Sequence, residues 1–163
     1  MAGNRDETDF AVVAFREAGQ WQVGRLPERL TSDLDGMIAA LRQQPGEGGT
    51  IGLVNVADEF FVAVRVSPDA VRLLLSDVTA AVAWELAAEV LDHLGIPVPG
   101  DDDLADVWPA GDLSIFSDLG LDEMELGAVL ADLDAYADEM LQRVVDRLGF
   151  GQSYERVVEA GTR

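Results

Sequence analysis

The stretch Thr50–Ser76, TIGLVNVADEFFVAVRVSPDAVRLLLS, decides the fold. It holds three runs rich in Val, Ile, Leu and Phe: Thr50–Val56, Phe60–Val66 and Ala70–Ser76. Such residues suit a pleated, buried surface. The links between the runs are Ala57-Asp58-Glu59 and Ser67-Pro68-Asp69. Links this short cannot carry a crossover, so the runs predict an antiparallel meander.

Upstream, residues 32–44 carry Leu34, Met37, Ile38 and Leu41 at helical spacing, with Ser32 or Asp33 available as the cap. Gln44-Pro45-Gly46-Glu47-Gly48-Gly49 then breaks the chain into a connector. It has no Gly-Lys-Ser/Thr ending and precedes a strand, so it is not a phosphate loop. Before that helix, residues 9–16 are apolar on both faces and predict a central strand. Gln20–Leu26 alternates around Trp21 and Val23 and predicts a half-buried partner, the two forming a hairpin. Downstream, Thr79–Leu94 reads as one long, mostly buried helix with Asp77 or Thr79 as cap. The order is ββαβββα, an α+β layer with a five-stranded antiparallel sheet and helices on one face. In topology this order resembles the profilin-like and longin-like folds.

The clearest break is Gly95–Gly111, rich in Pro, Gly and Asp, and read as a linker pinned by Trp108 packing back on the core. The expected organisation is therefore an α+β domain over 1–94, a linker over 95–111 and a small all-helical C-terminal region over 112–163. Within that region Asp122 and Asp138 are the expected caps of two helices, Gly149 ends the second, and Ser153 starts a short third. Phe150, between Gly149 and Gly151, is expected to pack inward.

The 163 residues include 31 Asp+Glu against 11 Lys+Arg, a formal net charge of −20, with one His and no Cys. Without Cys there are no disulfides, no thiolate nucleophile and no Cys-ligated zinc. No apolar run approaches the roughly 20 residues of a membrane span, and the start, MAGNRDETD, is no signal peptide. A cytoplasmic location without membrane contact is expected. The charge is uneven: residues 1–76 hold 11 acids and 7 Arg, whereas 77–163 hold 20 acids and 4 Arg. Such a block repels nucleic acid and attracts a basic surface. Candidate partner-binding residues are Asp101, Asp102, Asp103 and Asp106, with Trp108 as an interface anchor if its ring is free. Asp118, Asp122 and Glu125 join them as acids spaced to share one helix face.

The motifs that would carry chemistry fail on inspection. The run from Asp101 has Asp106 where an EF-hand loop needs its sixth-position Gly and Asp112 where it needs the closing Glu. His93, near the end of a helix, has no visible nucleophile partner and reads as structural. A carboxylate-only enzyme would need two acids converging in a cleft, one of them with a raised pKa. No catalytic residue, metal ligand or cofactor is expected.

Several strings in combination carry a wider resemblance. They are Val71-Arg72-Leu73-Leu74-Leu75-Ser76-Asp77, Asp106-Val107-Trp108-Pro109-Ala110-Gly111-Asp112, Asp132-Leu133-Asp134-Ala135-Tyr136-Ala137-Asp138-Glu139 and Leu148-Gly149-Phe150-Gly151. Together they resemble the bacterial family of tRNA adenosine deaminase-associated proteins, from about Phe10 to Ala160. Ala137 departs from the Pro that family pattern leads one to expect. The resemblance implies association with the enzyme that makes inosine in tRNA, and assigns no functional residue. The chain is not that deaminase, whose zinc site needs His-x-Glu and Pro-Cys-x-x-Cys; here Leu94 and Gly95 follow His93. The expected role is a non-catalytic accessory protein whose acidic half docks a basic surface, with tRNA adenosine deaminase as partner and no direct nucleic-acid contact. The alternative is a homodimeric interaction module, pairing through the edge strand at Gln20–Leu26.

Overall fold

Strands that are apolar on both faces need a cover on both faces, and that requirement organises the molecule. The computed structural model describes residues 10–44, 49–100, 108–132 and 134–161. The strands are β1 (Phe10–Glu17), β2 (Gln20–Arg25), β3 (Thr50–Val56), β4 (Phe60–Val66), β5 (Val71–Leu75) and β6 (Ala110–Gly111). The helices are α1 (Leu34–Arg42), α2 (Glu85–Leu94), α3 (Glu123–Leu130), α4 (Ala137–Leu148) and α5 (Gly151–Gly161). All neighbouring strands run antiparallel, in the order β2-β1-β3-β4-β5-β6.

The fold is α+β with an antiparallel sheet, but among the described residues the sheet has six strands rather than the expected five. The sixth, β6, lies inside the expected linker and pairs Ala110 with Leu75 and Gly111 with Leu74. Two residues are too few to show a period of two, so the pattern could not reveal it. Its backbone covers part of the outer edge of β5 that would otherwise be unpaired. Gly111 makes this possible: its φ is +112°, and a Cβ there would lie 2.2 Å from the Leu73 carbonyl oxygen.

Period-two alternation divides β4 between two cores. Phe60, Val62, Val64 and Val66 face α1 and α2, where they meet Met37, Leu41, Val90 and Leu91. Phe61 and Ala63 face the other way, with Val12, Leu53 and Leu74, against Phe116, Leu126, Leu141 and Val145. The helices of 112–161 thus form a second layer on the opposite face, sharing one apolar cluster with the sheet. β1 is central, between β2 and β3, and β2 is an edge, as its half-buried alternation predicts.

The long helix expected over Thr79–Leu94 is two pieces. A 3₁₀ turn over Val78–Val82 is capped by Asp77, whose Oδ1 accepts from the Thr79 N–H at 2.9 Å. Trp84 is extended (φ −122°, ψ 125°) and sets the start of α2. The break leaves its ring tilted against Phe60, centroids 6.1 Å apart. Asp122 caps α3 as expected, accepting from the Glu125 N–H at 2.8 Å. The cap of α4 is Tyr136 rather than Asp138, and α5 starts at Gly151 rather than Ser153. Gly149 ends α4 in the left-handed region. Phe150 is buried, its ring 4.6 Å from that of Trp21.

Candidate partner-binding surface

Two groups of acids stand out in the helical layer, those cancelled by an arginine and those gathered where α4 starts. The first group ties the layer to the sheet. Arg65 of β4 is buried at 6% exposure, on the strand face turned toward the helical layer. Burying a guanidinium is costly unless it is paired and hydrogen-bonded. Here Nη1 donates to the Ile115 carbonyl at 2.8 Å and to Asp118 Oδ1 at 2.5 Å, and Nη2 donates to Asp118 Oδ2 at 2.8 Å. The Arg65 guanidinium, through those hydrogen bonds, holds the Asp118 carboxyl below the usual carboxylate range. Arg72, opposite Arg65 on β5, pairs with Asp112 at 2.9 Å. Two arginines side by side on the sheet therefore clamp the segment that leads into α3. Within the layer, Arg147 pairs with Glu125 and Arg143 with Asp132.

These pairs change the standing of three expected docking residues. Asp118, Asp122 and Glu125 do not share one helix face. Asp118 lies in a 3₁₀ turn, Asp122 is the cap of α3, and Glu125 stands in its first turn. Asp118 and Glu125 already hold arginines of their own chain. Trp108 is not a plug: the residue is 43% exposed. Its segment is held by backbone instead, through the Val78 N–H donating to the Trp108 carbonyl at 2.9 Å and through β6. Asp101, Asp102, Asp103 and Asp106 lie outside the described residues.

The second group gathers where α4 starts, and it begins with the β3–β4 turn. Ala57 and Asp58 both have positive φ, 55° and 59°, the geometry of a tight hairpin turn. The Asn55 side chain fixes that turn, its Oδ1 accepting from the Asp58 N–H at 2.9 Å and its Nδ2 donating to Asp58 Oδ1 at 3.3 Å. Asp58 Oδ1 also accepts from the Asp138 N–H at 2.8 Å, so a sheet turn satisfies one of the free donors at the start of α4. Glu139 accepts from the Tyr136 N–H at 2.9 Å and closes the same end. Partial burial, then the nearby Asp58 charge, raise the Asp138 carboxyl above its ordinary value.

Beside this end, Asp138, Glu139, Gln142, Tyr154, Glu155, Val158, Glu159 and Phe10 line a cleft of about 390 Å³. Tyr154 is 3% exposed, and its hydroxyl has no hydrogen-bond partner among the described residues. Burial, with the Asp138 and Asp58 charges, raises the phenol well above its ordinary value. Two carboxylates do converge here, one of them raised. Asp58 Oδ1, however, is occupied by the Asp138 backbone and the Asn55 amide, which makes Asp58 a helix cap rather than a free base. Sequence reasoning missed Asp58, Arg65 and Tyr154; the spacing Asn55-x-x-Asp58 is the one local signal that could have marked the turn.

His93 lines a separate groove of about 320 Å³ between α1 and α2 with Asp35, Glu85, Glu89 and Asp92. There Glu89 Oε1 accepts from the Leu34 N–H at 3.0 Å and so caps α1 across the interface. Among the described residues no group of three His, Cys, Asp or Glu could hold a metal ion, and no helix is long and apolar enough to cross a membrane.

Comparison with known proteins agrees along almost the whole chain. Protein Rv3753c of Mycobacterium tuberculosis (strain ATCC 25618 / H37Rv) is 41% identical over 151 residues, covering 92% of this chain and 87% of that protein. No solved structure matches. A family model matches residues 9–151, which take in the sheet and helices α1 to α4, and the chain belongs to the Rv3753c-like tRNA adenosine deaminase-associated protein family.

Proposed function

We propose that this chain is a non-catalytic accessory protein of tRNA adenosine deaminase, acting in the cytoplasm, and that its acidic helical layer docks a basic surface of that enzyme. The family's name supports the association. The observation that carries the docking is electrostatic. Residues 112–163 hold 12 acids and 4 Arg, and ion pairs to Arg65, Arg72, Arg143 and Arg147 cancel only part of that charge. A single-sign surface speeds encounter with an opposite one and weakens with salt. The acids at 101–103 and 106 extend the same block along the sequence, and the exposed Trp108 that follows them in the chain offers an apolar anchor.

The test is co-purification with the deaminase of the same genome, with mass read by light scattering at low and high salt. A complex that weakens as salt rises is the expected result. No complex at either salt overturns the reading. Neutralising Asp101–Asp103 and Asp106 should weaken binding and flatten its salt dependence; unchanged behaviour removes the electrostatic part. A second reading has its own observation, the edge position of β2, whose outer side pairs with no other strand among the described residues. Pairing of two such edges would make a homodimer, and a strictly monomeric pure protein rules it out.

A further inference from the structure

We infer that the cleft between α4 and α5 is a socket for one basic side chain, an arginine or lysine presented by a protein partner. The inference rests on the docking reading above and locates it. Three independent features meet in the cleft. Its rim carries Asp138, Glu139, Glu155 and Glu159, with Asp58 directly behind Asp138. Its apolar wall is Phe10, Tyr154 and Val158, with the two rings edge to face at 6.1 Å. Tyr154 contributes a buried hydroxyl without a partner among the described residues.

Each feature matches a part of the proposed guest. A Lys or Arg stem is apolar and lies along rings while its head stays polar. Phe10 already receives one guanidinium, that of Arg25, 5.9 Å from its ring centroid. The charged head would meet carboxylates that no arginine cancels: among the described residues no ion pair reaches Asp138 or Glu155, whereas Asp112, Asp118, Glu125 and Asp132 each have one. Buried polar groups are almost always satisfied, so the lone phenol is an exception that asks for a partner. Its oxygen can accept from a guanidinium or ammonium N–H. A cation would also relieve the repulsion between Asp58 and Asp138.

The chain has two tyrosines, exposed Tyr136 and buried Tyr154, so fluorotyrosine labelling gives two separable ¹⁹F signals. The probe is a short peptide with one arginine, titrated against the same peptide with citrulline. The expected result is a saturable shift of the Tyr154 signal with the arginine peptide only, weakened at least about tenfold by Glu155→Gln. Glu155 is an exposed helix position, so that variant keeps the fold, and an unchanged Tyr136 signal verifies it. A Tyr154 signal indifferent to the arginine peptide, or equal shifts in wild type and Glu155→Gln, overturns the socket. The deaminase then separates the two ideas. Salt-dependent binding that ignores Glu155→Gln sinks the socket and leaves docking standing. An arginine-specific Tyr154 shift without deaminase binding supports the socket and removes the enzyme as its partner.

Discussion

Asp118→Asn is the most informative single change, because Asp118 is the counter-ion of the buried Arg65. Arg65 has a side chain 7% exposed, whereas its partner Asp118 is 61% exposed. Removing one member of a fully buried pair costs about 3–5 kcal/mol, and breaking a surface pair costs about 0–1 kcal/mol. With one buried and one solvated member, and the Ile115 carbonyl still accepting from Arg65, the expected loss is about 2 kcal/mol. For a chain of this size that lowers the melting temperature by roughly 4–8 °C. Glu125→Gln, which breaks an exposed pair with Arg147, is the control and should cost under about 1 kcal/mol. The pH dependence has a definite sign. Asp118 titrates lower in the folded chain than its ordinary value of 3.8. Its contribution is therefore fully present above pH 3.8 and is lost as pH falls through the depressed folded value. Thermal unfolding by circular dichroism at neutral pH and at about pH 3 should show a wide gap between wild type and Asp118→Asn that narrows in acid. If Asp118→Asn melts with wild type, or no lower than Glu125→Gln, the clamp is not structural and Asp118 returns to the list of docking acids.

Gly111→Ala should remove β6, since its Cβ would collide with the Leu73 carbonyl; a loss of at least about 1–3 kcal/mol, with faster hydrogen exchange at the Asp112 amide that bonds Leu73, is the expected outcome. Asp138→Asn should stabilise. The raised folded value of Asp138 means that its contribution, present below the ordinary value, is lost as pH rises, so the variant's advantage should appear at neutral pH and vanish in acid when urea unfolding is compared. Phe116→Ala, at a fully buried position between the layers, should cost about 3–5 kcal/mol in the same assay. Trp108→Ala should stay within about 0.5 kcal/mol, because the ring is exposed.

Most of the sheet was legible because its information is local. Thr50–Val56 and Phe60–Val66 carry the right residues over enough length, and three-residue links leave only an antiparallel reading. The second helical layer was legible in principle too. β4 is apolar at both odd and even positions, and such a strand cannot leave a face in water. What hid this was Arg65, a charge in an otherwise apolar run, which looks like a solvent-facing residue until its partner 53 residues away is seen. The break at Trp84 was invisible for a different reason. Ala, Val and Leu continue across it, so the helical period does not falter, and the extended residue carries a ring packed against Phe60 on a distant strand.

The candidate site was legible only as a sum of charges. A sequence shows how many acids a segment holds, but cancellation depends on neighbours in space. Asp118 and Glu125 look as free as Asp138 and Glu155 in the linear string, yet the first two are held by Arg65 and Arg147. Tyr154 sits at helical spacing from Val157 and Val158, a pattern that accounts for its ring and is silent about its hydroxyl. Net charge therefore overstates the surface available for docking. Clamping acids sit where the layer meets the sheet, and a basic partner must compete with a nearby arginine there. At the cleft no ion pair reaches Asp138 or Glu155 among the described residues, and like-charge repulsion already works against Asp138. Of the helical layer's described acids, those at the cleft have the most to gain from a cation, so a docking partner should be steered by the whole acidic face and anchored at this end of it.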